Sequence, residues 1–238
     1  DPRLCRWHPS ALACPSGAAP SAQCLSSAQV ETVRRAYSGV RMRDGRFAAM
    51  PLMRGGEGDW VARMIGTPQQ PRGMNAVLGA PFMAYIVKED SMYDFMTFDP
   101  ERDFAELDGG IAAAEVHQQS PSIEPFVARG GKLLLWHGFN DPGPSPLSTI
   151  AYHDAVLERV PTARDSVRLF LLPGVLHCAG GPGPDRFDSL TAIENWVERG
   201  IAPASLVATK EQPAMSRPIC AYPQLPRYNG SGATNDAA

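Results

Sequence analysis

The 238-residue chain has no apolar run long enough to cross a bilayer. Its longest nearly apolar stretch, residues 74–87, is interrupted by Asn75, Gly79 and Pro81, and a spanning helix needs about 20 consecutive apolar residues. It also lacks an excess of positive charge. With 22 basic and 25 acidic residues the net charge is -3, so there is no basic face for nucleic acid and no polybasic stretch for a membrane surface. No CxxC pair occurs among the five cysteines and no HExxH sequence among the five histidines, which argues against thioredoxin-type and zinc-protease chemistry. No repeat period is present, which removes solenoids and propellers. The chain starts at Asp1-Pro2 without an initiator methionine or signal peptide, and the expectation is that it is processed or cut from something longer.

Proline is plentiful. Its 23 residues are about twice the usual share and imply much loop. Cys14 and Cys24 flank a loop of Pro, Ser, Gly and Ala, a spacing suited to a short disulfide in an oxidising compartment. Cys5, Cys178 and Cys220 are left over, an odd number. Either their partners lie elsewhere or they are buried thiols, and composition does not choose between the two.

The texture changes near residue 120. Residues 1–119 are irregular, rich in Gly/Pro clusters, Met and Arg, with one clear helix at 26–38. Ser26 and Gln29 fit a capping box there, Val30, Val33 and Tyr37 form its apolar stripe, and Gly39 ends it. Residues 82–87 read equally as helix or strand. From 120 onward the pattern becomes regular α/β. Residues 132–136 (KLLLW) and 167–172 (VRLFLL) read as strands buried on both faces. A helix at 147–159 lies between them, and another is expected at 185–199 with Phe187, Leu190, Ile193 and Val197 on one face. Strand, loop, helix repeated twice is the rhythm of a parallel sheet, and its chemistry belongs at the C-terminal strand ends.

Two side chains of the right type fall there. Asp141 lies in the loop after the first strand and His177 in the loop after the second. An acid followed one βαβ unit later by a histidine matches the chain order Ser, Asp or Glu, His of α/β-hydrolases. A neutral imidazole takes the proton of a nucleophilic hydroxyl while the carboxylate fixes its tautomer. The plain alternative is that Asp141 caps the following helix and His177 is an ordinary loop histidine.

Residues 130–152 (GGKLLLWHGFNDPGPSPLSTIAY) resemble the acid loop of the tannase and feruloyl esterase family, with its HGxxD core and later threonine and tyrosine. Residues 173–183 (PGVLHCAGGPG) are similar to that family's histidine loop, PGMxHCxGGxG. Residues 196–203 (WVERGIAP) and 217–238 resemble its terminal helix and tail. Residues 1–30 resemble the start of its lid, and residues 55–60 (GGEGDW) are a looser match to its GSExGW. The resemblance covers almost the whole chain.

It implies an α/β fold: the C-terminal part of an α/β-hydrolase sheet (residues 120–238) plus most of an irregular, loop-rich lid (residues 1–119). It implies a serine esterase acting on esters of aromatic acids, of ferulic or gallic type, with Asp141 as triad acid and His177 as general base. The chain departs from the family in lacking a GxSxG or similar elbow, so the serine is expected upstream of Asp1, in a missing N-terminal half. The resemblance pairs Cys14 with Cys24 and gives Cys5, Cys178 and Cys220 partners outside the chain. A structural calcium belongs to an aspartate-rich loop also absent here, and no cofactor is implied for catalysis. His137 and Trp60 are the candidate substrate contacts, while Phe82, Tyr85, Tyr93 and Phe95 of the lid form an aromatic slot or simply its core. A secreted or periplasmic location follows, with no nucleic-acid or membrane partner. Two other readings compete: a metal-dependent hydrolase using His137, Asp141, His153 and Asp154, and a non-catalytic lid or binding fragment. Residues 1–238 alone are expected to be inactive.

Overall fold

The computed structural model of the chain describes residues 1–107, 109–110, 112–116, 119–177 and 179–236. In the N-terminal region α1 (Ser27–Ser38) begins as the capping box predicts. Ser26 Oγ accepts from the Gln29 N–H at 3.2 Å, and Gln29 Oε1 accepts from the Ser26 N–H at 2.8 Å. A short antiparallel pair follows, β1 (Val40–Arg41) with β2 (Phe47–Ala49). Next comes α2 (Met74–Phe82), which runs through Pro81 into a wider π-helical turn at Met83–Val87. Residues 82–87 are therefore helical. α3 (Pro100–Leu107) carries Asp103, whose side chain is fully buried. It accepts from Lys88 Nζ at 2.7 Å, Arg102 Nε at 2.6 Å and the Asp99 N–H at 2.8 Å. Asp103 ionises well below the ordinary carboxylate range because the Arg102 guanidinium, then Lys88, outweigh the cost of its burial.

After α4 (Glu124–Ala128) the chain enters β3 (Leu133–Gly138), crosses through α5 (Pro146–Arg159) and returns in β4 (Val167–Leu172). The two strands are parallel, in register from Leu133 opposite Val167 to Gly138 opposite Leu172. β3 runs two residues further than expected, so His137 sits on the strand rather than in the loop. β4 is buried along nearly its whole length, but β3 is not: Trp136 is exposed on one face. The difference is one of neighbours. β4 bonds to β3 on one side and to Tyr222 on the other, where the Tyr222 N–H donates to Leu169 O at 2.7 Å. Alternation along β4 splits the core. Leu169 and Leu171 pack with Phe139, Ile150 and Met53, while Phe170 and Leu172 pack with Val175, Leu206 and Ile219.

α6 (Ser189–Arg199) begins four residues later than its sequence pattern suggests. Asp188 caps it, accepting from the Thr191 N–H at 2.9 Å, and Arg186 is bridged to Thr209. Its inward face also differs. Leu190 and Val197 are 65% and 61% exposed, whereas Trp196 is buried. The indole fills the space under the sheet, with Arg168 5.1 Å and Lys132 5.5 Å from its ring centre, and that fixes the helix rotation. An antiparallel hairpin not foreseen from sequence, β5 (Ser205–Lys210) and β6 (Met215–Cys220), closes the region.

Candidate active site

β3 and β4 end side by side, and the loop after each carries one of the expected residues. His177 Nδ1 lies 2.8 Å from Asp141 Oδ2. A carboxylate only accepts, so Nδ1 carries the proton and Nε2 of the neutral ring holds the free lone pair. Asp141 is 2% exposed, while the His177 side chain is 33% exposed. The acid is hidden and the base is open to a reacting group. The other carboxylate oxygen, Oδ1, accepts from the Gly143 N–H at 2.6 Å. Burial pushes the Asp141 carboxyl up. The hydrogen bonds from His137, His177 and the Gly143 N–H outweigh it, so the group ionises below the ordinary carboxylate value.

Close approach explains two sequence features. A Cβ on Gly138 would run into the Leu176 carbonyl oxygen, so only glycine lets the histidine loop press on the end of β3. Gly55 and Gly56 serve a similar purpose against Asn140. A Cβ on Gly55 would lie 2.5 Å from Asn140 Nδ2, and one on Gly56 would strike the Asn140 carbonyl oxygen.

Asn140, which the sequence reading did not single out, is the joint between three segments. Its Nδ2 donates to Arg54 O at 2.6 Å, and its Oδ1 accepts from the Gly174 N–H at 2.6 Å. Two further bonds hold the acid loop to the N-terminal region. Ser145 Oγ donates to Pro51 O at 2.6 Å, and Asn75 Nδ2 donates to Pro142 O at 3.3 Å. Ser145 Oγ also accepts from the Leu147 N–H and caps α5, which leaves it poorly placed to act as a nucleophile.

The two candidate substrate contacts are placed differently from expectation. Both nitrogens of the His137 ring have protein partners: Nδ1 is 2.7 Å from Thr149 Oγ1, and Nε2 is 3.2 Å from Asp141 Oδ2 and 3.1 Å from Pro144 O. Trp60 is 8% exposed, its ring centre 5.4 Å from that of Tyr37. The Tyr37 hydroxyl donates to Glu57, and burial, with that bond, pushes its pKa up. Of the other candidate aromatics in residues 1–119, Tyr93 bonds Asp103 at 3.2 Å and Phe95 stacks on Phe98, while Tyr85 is exposed. A concavity of about 780 Å³ is lined by Gly174 and Gly183 of the histidine loop together with Arg217 and Tyr228.

Among the described residues no group of three His, Cys, Asp or Glu side chains could hold a metal. The four residues of the metal-hydrolase reading diverge, because His153 bonds its neighbour Asp154 and packs against Tyr222. Cys14 and Cys24 are joined, with Cα atoms 4.8 Å apart. Cys5 and Cys220 form no disulfide with another described residue, and Cys178 lies outside the described residues. No helix among the described residues is long and apolar enough to cross a membrane.

A buried carboxylate and a part-exposed imidazole meeting at the C-terminal ends of parallel strands define an α/β-hydrolase arrangement. The chain belongs to the tannase and feruloyl esterase family, whose model matches residues 1–238. It is similar to an uncharacterized esterase of Xanthomonas campestris, 33% identical over 284 residues, covering 100% of this chain and 49% of that protein. The mono(2-hydroxyethyl) terephthalate hydrolase of Piscinibacter sakaiensis is 46% identical over 125 residues, 50% of this chain and 21% of that protein. The crystal structure of feruloyl esterase B from Aspergillus oryzae superposes with a TM-score of 0.80 at 27% identity, over 99% of this chain and 50% of that one. The chain spans about half the length, or less, of these relatives.

Proposed function

We propose that residues 1–238 supply the acid and base of a serine carboxylic ester hydrolase whose nucleophile lies on a segment outside them. The observation that carries this reading is the 2.8 Å bond between His177 Nδ1 and buried Asp141. His177 Nε2 takes the proton of the serine hydroxyl as its oxygen bonds the acyl carbon. The imidazolium, stabilised by Asp141, then passes that proton to the departing alcohol. Water hydrolyses the acyl-serine by the same relay in reverse roles. The relatives' names support esters of aromatic acids as substrates. In this reading residues 1–119 are a partial lid and residues 120–238 the C-terminal part of the hydrolase domain. Cys5, Cys178 and Cys220 pair with cysteines outside the chain, the structural calcium is held by residues outside it, and the Cys14–Cys24 bond reflects a secreted or periplasmic setting.

His177→Ala in the serine-bearing parent enzyme should lower turnover of a feruloyl or terephthaloyl monoester by at least about a thousandfold. Retention of most activity would end the assignment. Residues 1–238 alone should hydrolyse neither ester, and turnover that vanished on Ser145→Ala would overturn that part.

A further inference from the structure

Asp141 Oδ2 faces two imidazoles. One belongs to His177, already given a proton-transfer role. The other belongs to His137, on β3, whose side chain is 13% exposed. Its Nε2 lies between Asp141 Oδ2 at 3.2 Å and Pro144 O at 3.1 Å. Neither oxygen can donate, so Nε2 must carry the proton. In the neutral ring Nδ1 accepts from the Thr149 hydroxyl, 2.7 Å away on α5. The ring is thereby pinned at both ends, with its Nε2–H aimed at the carboxylate oxygen that holds His177.

We infer that His137 is a positioning residue, a neutral N–H donor that holds the ionised Asp141 carboxylate in place and tempers its pull on the His177 proton. Neutrality matters here. A lysine or arginine at this place would stabilise the carboxylate too, but its charge would oppose the imidazolium that forms on His177. A neutral donor lowers the cost of a buried carboxylate without that penalty, in keeping with the downward shift of Asp141. The titratable groups around His137 are few. Asp141 faces it from its own loop, and His177 lies beyond Asp141 from the loop after β4. From α5 comes the Thr149 hydroxyl, while His153 on that helix is paired with Asp154 and turned to Tyr222.

This rests on the esterase reading, so the test has one arm that needs no turnover. In the serine-bearing parent enzyme, His137→Leu removes the donor and His137→Gln restores an N–H of similar reach. The Leu variant should lose roughly ten- to a hundredfold in kcat, the scale of one hydrogen bond to a charged group, with KM changed less than about twofold. Its carboxylate, short of one donor, holds the His177 proton more strongly, so the acid limb of kcat/KM should move up by roughly half a pH unit to one unit. The Gln variant should recover most of both. A rise in KM with kcat and the acid limb unmoved would make His137 a substrate contact and overturn the proposal. Equal losses in both variants with the limb in place would reduce it to a packing role and also overturn it. Nitrogen-15 NMR of the unmodified enzyme reads the protonation directly: a proton on His137 Nε2 with none on Nδ1 agrees, and a proton on Nδ1, alone or with one on Nε2, refutes. If the enzyme hydrolyses no aromatic ester, the functional reading fails by itself and the NMR arm still judges His137.

Discussion

Replacing Asn140 with alanine tests how the N-terminal region and the loops of Asp141 and His177 are joined. The side chain is 7% exposed, and its amide is used at both ends, toward Arg54 O and from the Gly174 N–H, each at 2.6 Å. Truncation leaves a half-buried carbonyl and a half-buried N–H without partners. At about 1–3 kcal/mol for each stranded group, the sum is about 2–6 kcal/mol, and partial access of water places the expected loss near 3 kcal/mol. The assay is urea unfolding of the serine-bearing parent, read as a fall in midpoint at unchanged slope. Amide exchange at Gly174 should accelerate in the same variant. Asn140→Asp separates the two bonds. It still accepts from Gly174 but sets an oxygen against Arg54 O, so Gly174 stays protected while the midpoint falls. A loss under about 0.5 kcal/mol for Asn140→Ala, the size of an ordinary surface change, would refute the reasoning. So would unchanged exchange at Gly174.

Gly138→Ala should cost more than about 3 kcal/mol, or abolish folding, since its methyl group would occupy the space of the Leu176 carbonyl oxygen. A thermal midpoint within a degree of the parent's would contradict the close approach. Asp103→Asn should lower the thermal midpoint by several degrees, because Lys88 and Arg102 would lose their shared buried carboxylate. The depressed pKa of Asp103 also sets a pH dependence. Its contribution is present above the unfolded carboxylate value, near pH 4, and is lost as pH falls further toward the folded value. Acid unfolding curves of parent and Asp103→Asn should converge in that range, and a constant gap down to pH 2 would count against the account.

Much of the C-terminal part was legible because its signals are local. β4 has the predicted bounds, α5 starts within a residue, and Asp141 and His177 meet where strand-end logic puts them. The α1 capping box is equally local. What escaped depends on distant partners. Asn140 bonds the backbone of Arg54 and Gly174, and a main-chain carbonyl or N–H leaves no mark in residue identity. His137 was placed in a loop because β3 was ended at Trp136, and the two added residues turn its ring toward α5. Periodicity gave α6 an apolar stripe, yet one large indole overrode it. The β5–β6 hairpin did carry a sign that went unused, the alternation of buried Leu206 and Ala208 along a short strand.

The N-terminal region bonds the loop of Asp141 through main-chain atoms of Arg54 and Pro51 and through the Asn75 side chain. The two main-chain bonds do not depend on which side chains stand at positions 51 and 54, although the Arg54 side chain itself reaches Trp7 O at 2.7 Å and lies over the Tyr37 ring. They do depend on the path of the chain through Gly55 and Gly56. A chimera that replaces residues 1–119 would keep the loops of Asp141 and His177 aligned only if the replacement retraces that path. Where it does, the two main-chain bonds form whatever side chains the replacement carries at positions 51 and 54.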